Sequence, residues 1–158
     1  MAWESSSLPL AAYPPRVPAL PDNYDDHPAR RAARESMRCV EAKDSAAWLA
    51  NFAHDAVVED PIGPSMFDPD GLGHHGLDAI AAFYDAVIAT NDSLRFGVHD
   101  SHACGNEVAN IGTISTVLPG GAATVHTDGV FTYRVNDAGK VTALRAYWQM
   151  DRLRIESE

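Results

Sequence analysis

The chain has 158 residues, the size of one ordinary domain, and its 46% hydrophobic and 22% charged residues are typical of a globular protein. Twelve basic residues against 22 acidic ones give a net charge of −10, which argues against nucleic acid and anionic membranes as partners. Cys39 and Cys104 form neither a C-x-x-C motif nor a disulfide framework, and no apolar run is long enough to cross a membrane. We expect a cytoplasmic protein without a signal peptide.

Composition divides the chain into a tail and one domain. Residues 1–27 hold five prolines and no apolar period, which predicts a flexible N-terminal tail. Helical and strand patterns begin at residue 28 and continue almost to the end. We therefore place the domain at residues 28–153 and a short C-terminal tail at residues 154–158.

Three helices are predicted in the first part of the domain. Pro28 stands at the favoured first position of a helix that continues to residue 42, with its apolar residues on one face. Asp44 is suited to cap a second, short helix over residues 46–53. Residues 76–89 have the apolar period of a strongly amphipathic third helix.

Strands dominate the rest of the domain. A short strand is predicted over residues 56–60, and the alternating pattern after Asn91 predicts long antiparallel strands separated by turns. These later strands are expected over residues 93–100, 106–118, 124–135 and 140–150. Three helices followed by a strand meander indicate an α+β fold, in which a curved sheet wraps around the helices.

The stretch "AVVEDPIG", residues 56–63, places two adjacent acids between an apolar run and a proline. The valines favour a strand, whereas Pro61 has no N–H to donate to a ladder and ends it. Because side chains alternate along a strand, either Glu59 or Asp60 points back toward the core. A carboxylate aimed at the interior of the protein suggests a functional site.

Three longer stretches, one of which includes AVVEDPIG, identify a family resemblance. The stretches "DSAAWLANFAHDAVVEDPIG", "GLDAIAAFYDAVI" and "GVFTYRVNDAGKVTALRAYW" resemble the delta-5-3-ketosteroid isomerases and their SnoaL-like relatives in the nuclear-transport-factor-like superfamily. The resemblance runs from about Ala29 to Met150 and is strongest to an actinobacterial branch. It implies a cone-shaped fold, in which a curved mixed or antiparallel sheet and three helices enclose a deep apolar pocket.

The resemblance also implies roles for individual residues. The Asp of the VEDP motif is the family's general base, so this role falls on Asp60, with Glu59 facing outward into solvent. The family's pocket-lining Tyr matches Tyr84, which follows Phe83, and an aromatic residue near the end of the last strand matches Trp148. Burial beside apolar walls raises the pKa of a carboxylate, which makes it a better base.

The sequence departs from the family at both oxyanion donors. Counted without gaps, Ser36 stands where the family has its catalytic Tyr, and Phe131 stands where it has an Asp. Asp128 lies three residues away, on the opposite strand face unless a bulge intervenes. Losing one such donor typically costs about 100- to 1,000-fold in rate, so a very slow isomerase or a different function is expected. The side chains that remain as alternative donors are Ser36, Tyr84, Tyr133 and Trp148.

The loop over residues 64–75 is longer than the resemblance leads us to expect. It would act as a lid if Met66, Phe67 and Leu72 covered the mouth of the pocket. Its "DPDG" segment, residues 68–71, is typical of a turn.

Two groups of histidines are weaker candidates for a functional role. His74 and His75 lie near Asp68 and Asp70, but adjacent residues in a glycine-rich loop form a poor chelating geometry. We therefore predict no metal. His126 is either a proton shuttle or, more simply, a histidine on the surface of a strand.

The leading hypothesis is a steroid delta-isomerase-like enzyme that needs no cofactor, with Asp60 moving the proton. We expect the ligand to contact Ser36, Phe83, Tyr84, Phe131, Tyr133 and Trp148. The alternatives are a steroid- or polyketide-binding protein with little turnover, and polyketide cyclisation or epoxide opening by Asp60. By resemblance to the family, a homodimer paired through the outer face of the sheet is expected.

Overall fold

A computed structural model describes residues 26–157. The predicted tail therefore lies, up to residue 25, outside the described residues. The three helices are α1 (Pro28–Glu41), α2 (Ser45–Ala50) and α3 (Leu77–Phe83), and α3 continues as a π-helical segment, Tyr84–Ile88. No helix among the described residues is long and apolar enough to cross a membrane.

Local sequence sets the starts of the first two helices. Pro28 is the first residue of α1, and His27 caps it by accepting a hydrogen bond from the Ala29 N–H through Nδ1 (3.1 Å). The carboxylate of Asp44 caps α2 by accepting from the Ala47 N–H (3.0 Å). The second helix ends earlier than predicted, because Phe52 already belongs to the first strand.

Within residues 26–157, seven strands form one mixed sheet, and their spatial order is β2-β1-β6-β5-β4-β3, with β7 paired to β5. β1 pairs with β6 in parallel, whereas the other pairs are antiparallel. The strands are β1 (Phe52–Glu59), β2 (His74–His75), β3 (Ser93–Cys104), β4 (Glu107–Val117), β5 (Thr124–Val135), β6 (Val141–Tyr147) and β7 (Arg154–Glu156). The sheet thus includes β7, in residues for which the sequence predicted only a tail.

The curvature of the sheet depends on glycines that face each other across strands. Gly112 pairs with Gly129, and a Cβ added at Gly112 would lie 2.4 Å from the carbonyl oxygen of Gly97. A Cβ at Gly129 would lie 2.5 Å from the carbonyl oxygen of Tyr147. Any larger residue would push the strands apart, so these two positions permit the bend. The register shift after Val98 in β3 adds to it.

The core lies between the helices and the concave face of the sheet. Trp48 is its largest fully buried side chain, with its ring 4.7 Å from that of Phe52 and 5.2 Å from that of Tyr84. Cys39 is buried here as well, and its thiol donates a weak hydrogen bond to Glu35 (3.5 Å). The observed α+β fold, with a curved and unclosed sheet over three helices, confirms the predicted fold class.

Candidate functional site

Alternation along β1 decides which of the two adjacent acids faces the interior. Ala56 and Val58 are buried, and Asp60 continues this inward series just beyond the end of the strand. Glu59 points to the outer face, where it pairs with Arg145. The prediction that Glu59 is solvated is therefore wrong: the ion pair leaves its side chain 17% exposed.

Trp148 holds Asp60 through one oxygen. Its indole Nε1–H donates to Oδ1 at 2.6 Å, and among the described residues it is the only donor to this carboxylate. Burial raises the pKa of Asp60, while the Trp148 hydrogen bond and the nearby charge of His74 act in the opposite direction. The second oxygen is thus left to interact with a ligand.

Asp60 and Trp148 line a cavity of about 340 Å³. This volume falls in the range of small-molecule sites. Most of its other walls are apolar, with polar groups from a few threonines and an asparagine. The apolar wall residues include Val87, Leu94, Ile114, Leu118, Val125 and Leu153. One carboxylate in an otherwise largely apolar wall is suited to a hydrophobic ligand with a single reactive or polar end.

The long loop supplies part of this wall. Phe67 lines the cavity with its ring 6.3 Å from that of Trp148, and Met66 lines it while remaining 71% exposed. Leu72 does not belong to that wall and is 73% exposed, so its predicted place over the mouth is wrong. Asp68 folds the loop back by accepting from the Gly71 and Gly73 N–H groups (3.1 and 2.7 Å), as the turn prediction implied.

Ser36 and Tyr133 belong to a buried hydrogen-bonded group on the inner side of the sheet. The hydroxyl oxygen of Ser36 accepts from the Trp48 indole N–H at 2.9 Å and from the Tyr133 hydroxyl at 3.4 Å. Burial raises the pKa of Tyr133, and the charge of Asp60 contributes to the same shift. The Tyr133 hydroxyl is therefore within electrostatic reach of Asp60. Sequence reasoning missed Trp48 as the third member of this group.

The other predicted ligand contacts lie in the packed core. Phe131 is buried on β5 opposite Ala146, and the ring of Phe83 lies 4.9 Å from that of His74. Tyr84 packs against Trp48 and borders a separate cavity of about 180 Å³ beside α2. Burial raises the pKa of Tyr84, and among the described residues its hydroxyl has no hydrogen-bond partner. Of the six predicted contacts, Trp148 lines the Asp60 cavity, whereas Ser36, Phe83, Tyr84, Phe131 and Tyr133 do not.

Asp128 lies on the other face of the sheet. β4 and β5 pair without a register shift, so no bulge turns Asp128 inward. Its carboxylate accepts from Thr113 (2.6 Å) and pairs with Arg154 (3.0 Å), and the Arg154 guanidinium lowers its pKa to about 2. The nearby His126 is also on this face, hydrogen-bonded through Nδ1 to the Ser115 hydroxyl (2.8 Å). Neither side chain can reach a ligand beside Asp60.

Two inward polar residues were not predicted as part of the site. Asn110 is buried on β4 opposite Phe131, and an amide in that place can be recognised only once the strand register is known. His74 belongs to β2, with Nε2 buried and without a hydrogen-bond partner among the described residues. Within residues 26–157, no cluster of three or more His, Cys, Asp or Glu side chains could hold a metal ion.

Comparison with known proteins identifies the family. Residues 33–144 match the SnoaL-like domain, whereas a search of curated proteins found no significant match. A delta-5-3-ketosteroid isomerase from Mycobacterium sp. is 44% identical, with a TM-score of 0.77 over 82% of this chain and 98% of that one. Rv0760c from Mycobacterium tuberculosis, in complex with estradiol-17beta-hemisuccinate, is 42% identical, with a TM-score of 0.75 over 81% and 98%.

A third similar structure has been designed rather than evolved. A computationally designed 17-OHP binder is 40% identical to this chain, with a TM-score of 0.77 over 82% of this chain and 98% of that one. The matched domain covers more than half of the chain, and the similar structures are covered almost completely. The chain belongs to the SnoaL-like family of the nuclear-transport-factor-like superfamily, in the group that resembles the ketosteroid isomerases.

Proposed function

We propose that this protein binds a 3-keto steroid, or a ligand of similar planar polycyclic shape, in the Asp60 cavity and isomerises its carbon–carbon double bond. One observation carries the proposal: Asp60 is fixed by Trp148 through a single oxygen in an otherwise largely apolar wall. The similar structures named for an isomerase and for steroid complexes support the ligand class.

In the proposed reaction, the free oxygen of Asp60 takes a proton from the carbon between the ketone and the double bond. The electron pair of that C–H bond moves into a dienolate, whose negative charge rests on the ketone oxygen. Asp60 then returns the same proton two carbons further along, so that the double bond becomes conjugated with the ketone. Burial raises the pKa of Asp60, which improves it as a base for this transfer.

The dienolate needs a hydrogen-bond donor, and we assign this role to Tyr133. Its hydroxyl is buried within electrostatic reach of Asp60, and its bond to Ser36 is long at 3.4 Å. Donation to a ligand oxygen would therefore replace a weak hydrogen bond. Trp48 would keep Ser36 paired while Tyr133 turns to the ligand.

A second candidate function is steroid binding with little turnover. The observation that favours it is the replacement of the family's two donor positions by Ser36, which is engaged with Trp48, and by the apolar Phe131. Under this alternative Asp60 orients a ligand hydroxyl instead of moving a proton. Polyketide cyclisation or epoxide opening by Asp60 would also use the cavity, but no feature of its wall favours either over the steroid reaction.

Two measurements separate these functions. Isothermal titration with estradiol, a phenolic steroid, tests binding, and formation of the conjugated enone from 5-androstene-3,17-dione tests turnover. We expect saturable binding of estradiol and slow turnover. Binding without turnover would favour the second candidate, and failure to bind any member of a steroid panel would contradict both.

We also propose that two copies pair through the outer face of the sheet. Ile111, Val130 and Tyr147 lie in register across three strands there, and Ile111 and Tyr147 are 36% and 49% exposed. Sedimentation velocity should give a dimer for the natural chain and a monomer for Ile111→Lys, because a charge would be buried at the interface. A monomeric natural chain at tens of micromolar would contradict this pairing.

A further inference from the structure

His74 is the other ionisable side chain that the strand pairing directs toward Asp60. β2 pairs with β1 so that His74 stands opposite Val58, and residues directly opposite each other in an antiparallel pair share one face of the sheet. Val58 is fully buried, so this is the inner face. Asp60 follows two residues later on the same face, and such diagonal neighbours are about 7 to 8 Å apart.

The surroundings of His74 hold its ring and leave one nitrogen unsatisfied. The ring packs on Phe83 of α3 with centroids 4.9 Å apart. Nε2 is buried and has no hydrogen-bond partner among the described residues, a state that is unfavourable unless another group or a charge compensates. One face of the ring is therefore packed on Phe83, and no described residue accepts from or donates to Nε2.

The other carboxylates on the elements next to His74 either face outward or are exposed. Glu59 on the same strand faces outward and pairs with Arg145, and Asp78 and Asp85 on the neighbouring helix are exposed. Among the described residues, burial raises the pKa of Cys39, Asp60, Tyr84 and Tyr133. Asp60 is the carboxylic acid among these four.

We propose that His74 is a positioning residue for Asp60: when protonated, its imidazole, which lies on the inner face diagonal to Asp60, favours the ionised form of that carboxylate and so its capacity to accept a proton. The charge of His74 does oppose the effect of burial on the pKa of Asp60. The contribution of His74 to catalysis rests on the proposed function. The electrostatic effect of His74 on Asp60 is independent of it.

A merely structural role would be limited to the contact between the rings of His74 and Phe83. His74→Phe keeps an aromatic ring against Phe83 and removes the charge, so it separates the two roles. His75→Phe is the matched control, because His75 is the adjacent histidine, is exposed, and bonds through Nε2 to the Leu72 carbonyl (2.7 Å). His74→Gln is a second uncharged variant if His74→Phe folds poorly.

The test is a carboxyl-carbon NMR titration of protein labelled at its Asp side chains, with the Asp60 signal assigned by its loss in Asp60→Asn. The titration midpoint of Asp60 should rise by at least about half a pH unit in His74→Phe and stay unchanged in His75→Phe. Where turnover is measurable, the acidic limb of its pH profile should move by the same amount.

Two results would overturn the proposal: an unchanged Asp60 midpoint in folded His74→Phe and His74→Gln, or an equal shift in His75→Phe. The titration requires no steroid. Failure of estradiol binding would therefore count against the proposed function alone, and an unchanged midpoint would count against the role of His74 alone.

Discussion

Asp60 and Asp128 are two carboxylates on opposite faces of one curved sheet. Asp60 lies on the concave side among apolar walls, where one indole N–H holds it and burial raises its pKa. Asp128 lies on the convex side, where a guanidinium and a hydroxyl satisfy it and its pKa falls to about 2. The carboxylate on the concave face thus has a raised pKa and lines a cavity that a ligand can enter. The carboxylate on the convex face has a lowered pKa and already binds Arg154 and Thr113.

The difference shows that strand alternation and register, rather than residue type, decide which acid can take part in chemistry. It also gives the two carboxylates opposite effects on stability. Ionising Asp60 is harder in the folded state than in the unfolded chain, so stability falls as the pH rises above about 3.8. Ionised Asp128 is favoured by folding, so its contribution is lost as the pH falls from about 3.8 toward 2.

The largest expected effect is that of Asp60→Asn on turnover. The substitution keeps the shape and the hydrogen bond from Trp148 but removes the proton acceptor, so isomerisation of 5-androstene-3,17-dione should fall at least about 100-fold. Estradiol binding, measured by titration calorimetry, should survive. Asp128→Asn is the matched control and should retain full turnover. Equal turnover in Asp60→Asn and the natural chain would remove Asp60 from the mechanism.

Tyr133→Phe should come next. Loss of the hydroxyl removes the proposed donor to the dienolate oxygen while the ring still fills the core, so turnover should drop by about 100-fold with little change in KM. Tyr147→Phe, on the exposed side of the sheet, serves as the control. A Tyr133→Phe protein as active as the natural chain would exclude Tyr133 as the donor.

A third effect concerns stability. Asp60→Asn should have a higher Tm than the natural chain at pH 7, and the gap should close as the pH is lowered toward 4, because protonation then makes Asp60 neutral as well. Thermal unfolding at several pH values checks this. A natural chain that is the more stable of the two at pH 7 would mean that the folded state favours ionised Asp60.

The smallest effect is expected on the convex face. Asp128→Asn removes an ion pair whose side chains are both more than half exposed, and water and salt screen such pairs strongly. Its Tm should be close to that of the natural chain at pH 7, and any difference should vanish below about pH 2, where Asp128 is protonated. A large loss of stability at pH 7 would show that Arg154 and β7 depend on this contact.

Much of the fold could be predicted from the sequence because its signals are local. Pro28 and Asp44 mark helix starts, and alternation after Asn91 marks the long strands. The features that were missed depend on distant partners. β7 forms because β6 pairs only with residues 130–135 of β5, which leaves residues 124–126 of β5 open to pairing on that side. Phe52 joins β1 because it pairs with Val141 of β6.

The site was less predictable for the same reason. From the residues alone, Glu59 and Asp60 were equal candidates to face inward, and the family resemblance favoured Asp60. The contacts of Ser36 with Trp48 and Tyr133, and the position of His74 opposite Val58, join residues far apart in the chain. No short motif encodes them, because register and packing create them. Leu72 was misplaced because hydrophobicity alone does not tell which loop residues turn toward a cavity.

The central claim is that one carboxylate, that of Asp60, carries a proton between two carbons of the same ligand. The direct measurement uses 5-androstene-3,17-dione deuterated at the carbon between the ketone and the double bond, with the product examined by NMR. We expect part of the deuterium two carbons further along, because an enclosed base returns the atom that it removed, and no such transfer in Asp60→Asn. Turnover with all deuterium lost to solvent, or equal transfer in Asp60→Asn, would contradict a proton shuttle by Asp60.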